Sequence, residues 1–165
     1  MKLVLERAGC VVVPMTEHDL LEVVEIEETT GLSQWGWDAY RAELSRPEAV
    51  MLVARRMSMP TAATTRLLSG YIAARISADE LHINNIGVWP DARRRGIGGA
   101  LLGAALDIAA RCGAVEAVLE VRAGNLAARR MYERFGFAVV GERRKYYREP
   151  TEDAKIMTRR LAPTA

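Results

Sequence analysis

The sequence predicts an α/β fold in which a mixed, mostly antiparallel sheet carries helices on both faces. Segments with the apolar or alternating pattern of strands alternate along the chain with segments of helical periodicity. The near-continuous apolar run over residues 115–121 is typical of a strand buried on both faces. A basic, glycine-rich turn after Val88 joins another predicted strand to a helix.

Length and composition favour one globular domain spanning residues 1–165, with a core over about 11–160. The chain is 50% hydrophobic and 27% charged, and no apolar run reaches the roughly 18 residues that a membrane helix requires. Charged residues soon interrupt the apolar N-terminal stretch, so it does not resemble a secretory signal and a cytoplasmic location is expected. The net charge of +2 gives no reason to expect a nucleic-acid or membrane partner.

The N-terminal part is predicted to contain two helices and three strands. A capping box over residues 16–19 opens the first helix, and Pro47 follows the second. The elements are a strand over 11–13, a helix through about 28, a helix over 38–45 and an antiparallel pair of strands over 50–56 and 67–76.

The C-terminal part is predicted to contain four strands and two helices. Gly113 marks the end of the first of these helices, and Asn125 opens the second, which ends near Gly136. The elements are a strand over 81–88, a helix over 98–111, a strand over 115–121, a helix from 125, and closing strands over 137–141, extended towards 147, and over 154–160.

The turn before the helix at 98–111 has the composition of an anion cradle. The first amides of a helix have no intrahelical acceptor, and the helix dipole adds partial positive charge there. Glycines let a phosphate approach the backbone, and three arginines precede them at residues 93–95. The turn therefore predicts a ligand that carries a diphosphate.

The spacing disfavours two common diphosphate sites. A dinucleotide fingerprint that starts at Gly96 would place Leu101 where the third glycine or alanine belongs. A Walker A loop ends in Gly-Lys-Ser/Thr, whereas residues 98–100 read Gly-Gly-Ala. Nucleotide hydrolysis is therefore disfavoured.

The pattern Arg93-x-x-Gly96-x-Gly98 resembles the acetyl-coenzyme A pyrophosphate loop of the Gcn5-related N-acetyltransferase (GNAT) superfamily, the acyl-CoA N-acyltransferase fold. Residues 84–88 resemble the preceding strand of that superfamily, and residues 119–137 resemble its next strand and helix. Leu-Glu-Val-Arg-x-x-Asn, Tyr-Glu-x-x-Gly-Phe and the late Arg-Arg-Lys-Tyr-Tyr at 143–147 resemble the ribosomal-protein alanine N-acetyltransferase (RimI) group.

The resemblance implies acetyl-coenzyme A as cosubstrate and a set of residues that bind it. Main-chain groups of the strand over 81–88 would bind pantetheine, and amides of the turn that follows it would hold the phosphates. Asn125 would either touch the coenzyme or only cap the helix that it opens. The expected cofactor-binding residues are Ile86, Gly87, Val88, Arg93, Arg94, Arg95, Gly96, Ile97, Gly98, Gly99 and Asn125.

Two residues are expected to perform the chemistry. A protein α-amine has a pKa of about 8, so a modest base such as Glu120 suffices to remove its proton. The alternative is that Glu120 pairs with Arg122 or another arginine. Tyr132 is expected to be the general acid or the stabiliser of the departing thiolate, and the resemblance places the acid of the family at this tyrosine. The alternative is that its ring only packs with neighbouring aromatic side chains.

Acceptor-binding residues are implied by the same resemblance. Trp35 and Trp37 lie where the RimI group carries a tryptophan beside its acceptor groove, although the preceding residues are Gln34 and Gly36 rather than proline. Tyr146 and Tyr147 match the paired tyrosines of the group. Aromatic residues on amphipathic elements are also typical of a core, so each of the four has that alternative.

The resulting prediction is an acetyl-CoA-dependent N-acetyltransferase that acts on a protein N-terminus, plausibly alanine of a ribosomal protein, by direct attack in a ternary complex. The same chemistry on a small-molecule amine or a lysine side chain is one alternative, and an acetyl-CoA-sensing or RNA-binding module is another.

No metal site is expected. Cys10 and Cys112 have the flanking residues of buried thiols, and His18 and His82 are assigned no role.

Overall fold

Eight strands form one continuous sheet in the computed structural model, which describes residues 3–162. The ends of the predicted domain, residues 1–2 and 163–165, lie outside the described residues. The strands are β1 (Leu3–Leu5), β2 (Cys10–Pro14), β3 (Ala49–Arg56), β4 (Leu68–Ser77), β5 (Glu80–Val88), β6 (Glu116–Arg122), β7 (Ala138–Arg148) and β8 (Thr151–Arg160).

The spatial order of the sheet is β1-β2-β3-β4-β5-β6-β8-β7. Within residues 3–162 the only parallel neighbours are β5 and β6, and the other pairs are antiparallel. The prediction of a mixed, mostly antiparallel sheet is confirmed. The sheet therefore ends at β1 on one side and at β7 on the other.

The described chain also contains four α-helices, α1 (Leu20–Thr30), α2 (Gly36–Leu44), α3 (Ile97–Arg111) and α4 (Leu126–Arg134). The predicted capping box is present, because the Thr16 amide donates to Asp19 Oδ2 at 2.8 Å. A short 3₁₀ turn over Glu17–Asp19 then leads into α1. Asn125 caps α4, with its Oδ1 accepting from the Ala128 amide at 3.2 Å.

Helices cover both faces of the sheet. On one face, Tyr40 of α2 meets Tyr71 of β4 edge to face with 5.7 Å between ring centroids, and α1 packs beside it on β4 and β5. On the other face, α3 packs along β3, β4 and β5 with Leu101 and Leu102 fully buried. The core therefore forms two layers around the central strands. No helix within residues 3–162 has the length and apolar character needed to cross a membrane.

The structure differs from the sequence predictions at three points. Strand β6 is buried on one face only, since Leu119 is buried while Val118 and Glu120 are partly exposed, so the prediction of burial on both faces is wrong. Cys10 is buried as predicted, but Cys112 is exposed because it caps the solvent end of α3. Strand β1 was not predicted.

Strands β5 and β6 separate part-way along their length, and this separation positions the site. They pair only between Glu80–Ile83 and 116–119, after which β5 continues along β4 and β6 continues along β8. A register shift in the β4–β5 pair leaves Asn84 as an extra residue where the separation begins. Backbone groups of 84–88 that face β6 are left without a strand partner.

Strand β7 is irregular along its outer half. Its register with β8 shifts between Val139 and Gly141 and again between Arg143 and Tyr147. Lys145 has a left-handed φ of 51°, and its amide donates to Asp153 Oδ1 at 2.7 Å. Most side chains of β7 are exposed because the strand is an edge of the sheet.

Candidate active site

A cavity of about 830 Å³ extends from the gap between β5 and β6 across the start of α3. Its walls are the last residues of β5, the turn into α3 and one face of α4, with Thr30 at the end of α1 and Leu32 just after it. The predicted cofactor-binding residues that line it are Ile86, Gly87, Val88, Arg93, Arg94, Gly96, Ile97, Gly98, Gly99 and Asn125. Arg95 is exposed and lies outside the lining.

The turn before α3 presents its amides to this cavity. Arg94 and Gly96 both have left-handed φ angles, 64° and 79°, and such alternation of backbone conformation turns successive amides towards one side. The Ala100 amide donates to Gly96 O at 3.0 Å. Within residues 3–162 the preceding amides of Ile97, Gly98 and Gly99 have no backbone acceptor, which leaves a concentration of donors at the positive end of the helix.

The arginines of the turn differ in their placement. Arg93 folds back on β5, where its Nε donates to Val88 O at 3.3 Å. Arg94 lines the cavity from its exposed rim. Of the three, Arg94 is therefore best placed to add a charged contact to the amides, Arg93 supports the strand end, and Arg95 faces solvent.

Helix α4 lies close over the first turn of α3. A Cβ atom at Gly98 would stand 3.2 Å from Met131 Sδ, and one at Gly99 would stand 3.2 Å from the Phe135 ring. A side chain at either position would therefore have to displace Met131 or Phe135. Asn125 caps α4 through Oδ1, while its Nδ2 has no acceptor among the described residues and faces the cavity wall, so both predicted roles of Asn125 are geometrically compatible.

Tyr132 lies on the cavity wall and is otherwise enclosed. Its side chain is 8% exposed, and its ring stands 5.9 Å from that of Phe137. Burial raises the pKa of the Tyr132 phenol well above its usual value, and the neighbouring Tyr147 raises it further. In the described chain the hydroxyl has no hydrogen-bond partner. The phenol is therefore protonated and available as a donor to a ligand.

Glu120 lies on β6 beside the gap but outside the lining of the cavity. Its Oε2 is 3.0 Å from His82 Nε2 on β5, and its Oε1 is 3.6 Å from Arg143 Nε on β7. The Arg122 guanidinium lies instead 4.2 Å from the centre of the Tyr147 ring. Glu120 thus has two cationic or polar neighbours, one on each side of its own strand.

Tyr147 connects the two predicted catalytic residues electrostatically. Burial is the main reason that its pKa rises to about 12, and the charge of Glu120 adds to the rise while Arg122 opposes it. Tyr147 in turn raises the pKa of Tyr132. Tyr146 is 47% exposed and meets the Tyr147 ring edge to face at 5.1 Å. The structure therefore brings Glu120, Tyr147 and Tyr132 into one neighbourhood.

A buried carboxylate fixes the loop that carries the two tryptophans. Glu27 of α1 is 1% exposed and accepts hydrogen bonds from the amides of Trp35 at 2.8 Å and Gly36 at 3.1 Å. It also accepts one from the Tyr40 hydroxyl at 2.7 Å. Trp35 and Trp37 are partly buried against the core. Much of each ring therefore packs in the core, which was the alternative to acceptor binding.

The strand that ends at the gap also joins this buried network. Asn85 Nδ2 donates to the Tyr40 hydroxyl at 3.0 Å and to Ser33 O at 3.2 Å. Glu27, Asn85 and His82 were not predicted as site residues. An asparagine pair inside an otherwise apolar strand was a signal for Asn85, because a buried amide requires polar partners.

Within residues 3–162, no group of three or more histidine, cysteine or acidic side chains is arranged to hold a metal ion.

Comparison with protein families gives a match to the acetyltransferase (GNAT) family over residues 20–137. The N-alpha-acetyltransferase RimI of Mycobacterium tuberculosis is 36% identical over 151 residues, which cover 88% of this chain and 89% of that protein.

Solved structures show the same architecture. The ribosomal-protein-S18-alanine N-acetyltransferase from Escherichia coli superposes with a TM-score of 0.79 at 26% identity, covering 93% of this chain and 95% of that one. Arabidopsis thaliana NAA60 in complex with a bisubstrate analogue superposes with a TM-score of 0.81 at 19% identity, covering 93% of this chain and 98% of that one. At this identity the similarity is one of fold.

Proposed function

Since this chain belongs to the acetyltransferase (GNAT) family, we propose that it transfers acetyl from acetyl-coenzyme A to the N-terminal α-amine of a protein. The names of its relatives indicate an alanine of a ribosomal protein as the acceptor. The reaction is direct attack in a ternary complex. No cysteine is placed as a covalent relay, because Cys10 is buried in the core and Cys112 caps the far end of α3.

The observation that carries this proposal is the cradle of amides at the start of α3, open to a cavity that continues into the β5–β6 gap. A diphosphate needs several donors and positive potential, and the first turn of α3 supplies both. An extended pantetheine arm needs a strand edge, and residues 86–88 have no strand partner on their β6 side, although Val88 O there accepts from Arg93 Nε. These features fit coenzyme A.

Bound acetyl-coenzyme A supplies a thioester carbonyl carbon and a thiolate leaving group. Residues 86–88 orient the arm, and the amides of 97–99 hold the phosphates with Arg94 at the rim. Glu120 takes the proton that the acceptor nitrogen loses as the C–N bond forms. The Tyr132 phenol donates a hydrogen bond to sulfur as the C–S bond breaks and stabilises the thiolate that leaves.

The acceptor enters from the side of the gap opposite the phosphates. In this proposal the acceptor is contacted by the exposed parts of Trp35 and Trp37, on the loop held by Glu27, and by Tyr146 and Tyr147 of β7. An α-amine suits this site better than a lysine side chain, whose pKa of about 10.4 would require a far stronger base than one carboxylate.

The test is incubation of the protein with labelled acetyl-coenzyme A and short peptides that differ at residue one. Peptides with a free N-terminal alanine or another small residue are expected to gain label, and the same peptides with a blocked N-terminus are not. Label on an internal lysine of the blocked peptides would contradict the α-amine acceptor. Transfer only to small amines would contradict a protein acceptor.

We place the reaction in the cytoplasm and in a single catalytic domain of residues 1–165, with no membrane or nucleic-acid partner required. A ribosomal-protein acceptor supports the location. One sheet and one core formed by residues throughout the described chain support the single domain.

A further inference from the structure

His82 and Glu120 face each other across the line where β5 and β6 stop pairing. The parallel register places His82 beside Val118, so Glu120 lies one step further along the same face of β6. Their side chains meet with 3.0 Å between His82 Nε2 and Glu120 Oε2. The Glu120 side chain is 13% exposed and that of His82 is 42% exposed, so the imidazole is the more accessible of the two groups to solvent.

The chemistry of the contact fixes the proton on Nε2. An ionised carboxylate only accepts hydrogen bonds, so Nε2 of a neutral imidazole must carry the hydrogen and Nδ1 is left as an acceptor. Protonation at Nδ1 converts the ring into a cation beside the carboxylate. That cation would weaken the affinity of the carboxylate for the proton of the acceptor amine and would repel any acceptor still present as ammonium.

We propose that His82 is a pH-responsive positioning residue for Glu120: its neutral ring orients the carboxylate for transfer, and its protonated ring suppresses transfer. The proposal rests on the proposed function, in which Glu120 receives the amine proton.

The other charged groups around the pair are already engaged or more distant. Arg75, opposite His82 on β4, is held by Glu43 of α2. Arg143 approaches the second oxygen of Glu120 from β7, and β8 presents the uncharged Ile156 opposite Glu120. The charged residues on the same face of the two strands are Glu80 and Glu116, one step back from the pair, and Arg122, one step forward, which is engaged by Glu152 and the Tyr147 ring.

The test compares kcat/KM of the wild type and His82→Gln for an alanyl peptide between pH 5.5 and 8.5. Glutamine can donate the same hydrogen bond but does not titrate, and the ratio of the two enzymes cancels the titration of the peptide amine. The ratio of wild type to variant should be within about twofold of one at pH 8.5. It should fall to about one tenth at pH 5.5, because only the wild type can then carry a cation beside Glu120. A ratio that is constant across this range overturns the pH response.

A second variant tests the orienting role. His82→Ala removes the hydrogen bond, so kcat at pH 8.5 should fall at least about threefold while the KM for acetyl-coenzyme A is unchanged, and an unchanged kcat would overturn positioning. His18→Gln is the matched control because it changes the other histidine, which is exposed and far along the chain. Its pH profile should match that of the wild type.

A readout without turnover separates this proposal from the proposed function. The His82 Nε2 resonance should move in Glu120→Gln and stay in place in Glu116→Gln. Absence of any transfer by the wild type at pH 8.5 would reject the proposed function, and an Nε2 resonance insensitive to Glu120→Gln would reject the pair itself.

Discussion

A few atoms at single residues decide the proposed chemistry. The Tyr132 hydroxyl is protonated and lies on the wall of a cavity, and the Glu120 carboxylate is contacted by side chains of two other strands, β5 and β7. Neither residue is positioned by its neighbours in sequence alone. Tyr132 is enclosed by packing against Phe137, and Glu120 is oriented by His82 and Arg143. Conservative substitutions therefore separate chemistry from packing at both positions.

Tyr132→Phe removes one oxygen and keeps the ring in its packing against Phe137. We expect kcat to fall at least about tenfold, equivalent to about 1.4 kcal/mol in the barrier, because the thiolate loses its hydrogen-bond donor. Calorimetry should show an unchanged Kd for acetyl-coenzyme A. A kcat equal to that of the wild type would make Tyr132 a packing residue only.

Glu120→Gln keeps the shape of the side chain and removes its capacity to accept a proton. We expect kcat/KM for an alanyl peptide to fall at least about tenfold near pH 7.5. Glu116→Gln, four residues earlier on the same strand, is the control and should leave activity unchanged. If both variants match the wild type, transfer needs no base on β6.

Among the elements, the α1–α2 loop has an unusual support, since a buried carboxylate rather than the apolar core alone fixes its path. Glu27→Gln weakens charge-assisted hydrogen bonds to the amides of Trp35 and Gly36. We expect the free energy of unfolding to fall by roughly 1–3 kcal/mol and the KM for peptide to rise more than the KM for acetyl-coenzyme A. Glu28→Gln, exposed on the next residue, should change neither quantity in thermal melts and steady-state assays.

Elements specified by local signals could be predicted closely. Helix α3 begins within one residue of its predicted start, because a glycine-rich turn and helical periodicity both lie in adjacent sequence. The three residues of β1 could not be predicted, because so short a strand is defined by its pairing with β2. The exposure of one face of β6 depends on the gap beside it, which no local pattern of apolar residues reports.

The contacts within the candidate site likewise divide into those that local sequence predicts and those that depend on long-range pairing. The cofactor-binding residues predicted between Ile86 and Gly99 line the cavity except for Arg95, whose side chain direction depends on the turn geometry, and Ala92 lines it without having been predicted. The pairing of His82 with Glu120 depends on the parallel register of two strands separated by α3. That register is a long-range property, so the isolated histidine carried no signal.

The whole molecule holds four of its five tyrosines in surroundings that disfavour ionisation. Burial raises the pKa of Tyr40, Tyr71 and Tyr132 above the usual 10 and raises that of Tyr147 to about 12. Their contribution to stability is complete below pH 10. Above pH 10 the unfolded chain loses tyrosine protons that the folded chain retains, so the free energy of unfolding must fall as pH rises.

We expect the urea midpoint to fall steeply between pH 10 and 11, with each retained proton contributing up to about 1.4 kcal/mol per pH unit. Tyr40→Phe removes one of these groups, so its free energy of unfolding should decline less steeply than that of the wild type over the same range. Parallel declines in the two proteins would contradict the assignment of Tyr40.

The irregular path of β7 has a consequence for how separate molecules behave. A second chain can pair with an exposed edge strand whose backbone groups are unpaired, and repeated pairing of this kind produces fibrils. The left-handed Lys145 and the register shifts around it interrupt that edge, and Arg143, Arg144 and Arg148 add like charges that repel a second copy. At the opposite edge, β1 offers only three residues to pair with. Concentrated solutions of the folded protein should therefore resist strand-to-strand polymerisation at both margins of the sheet.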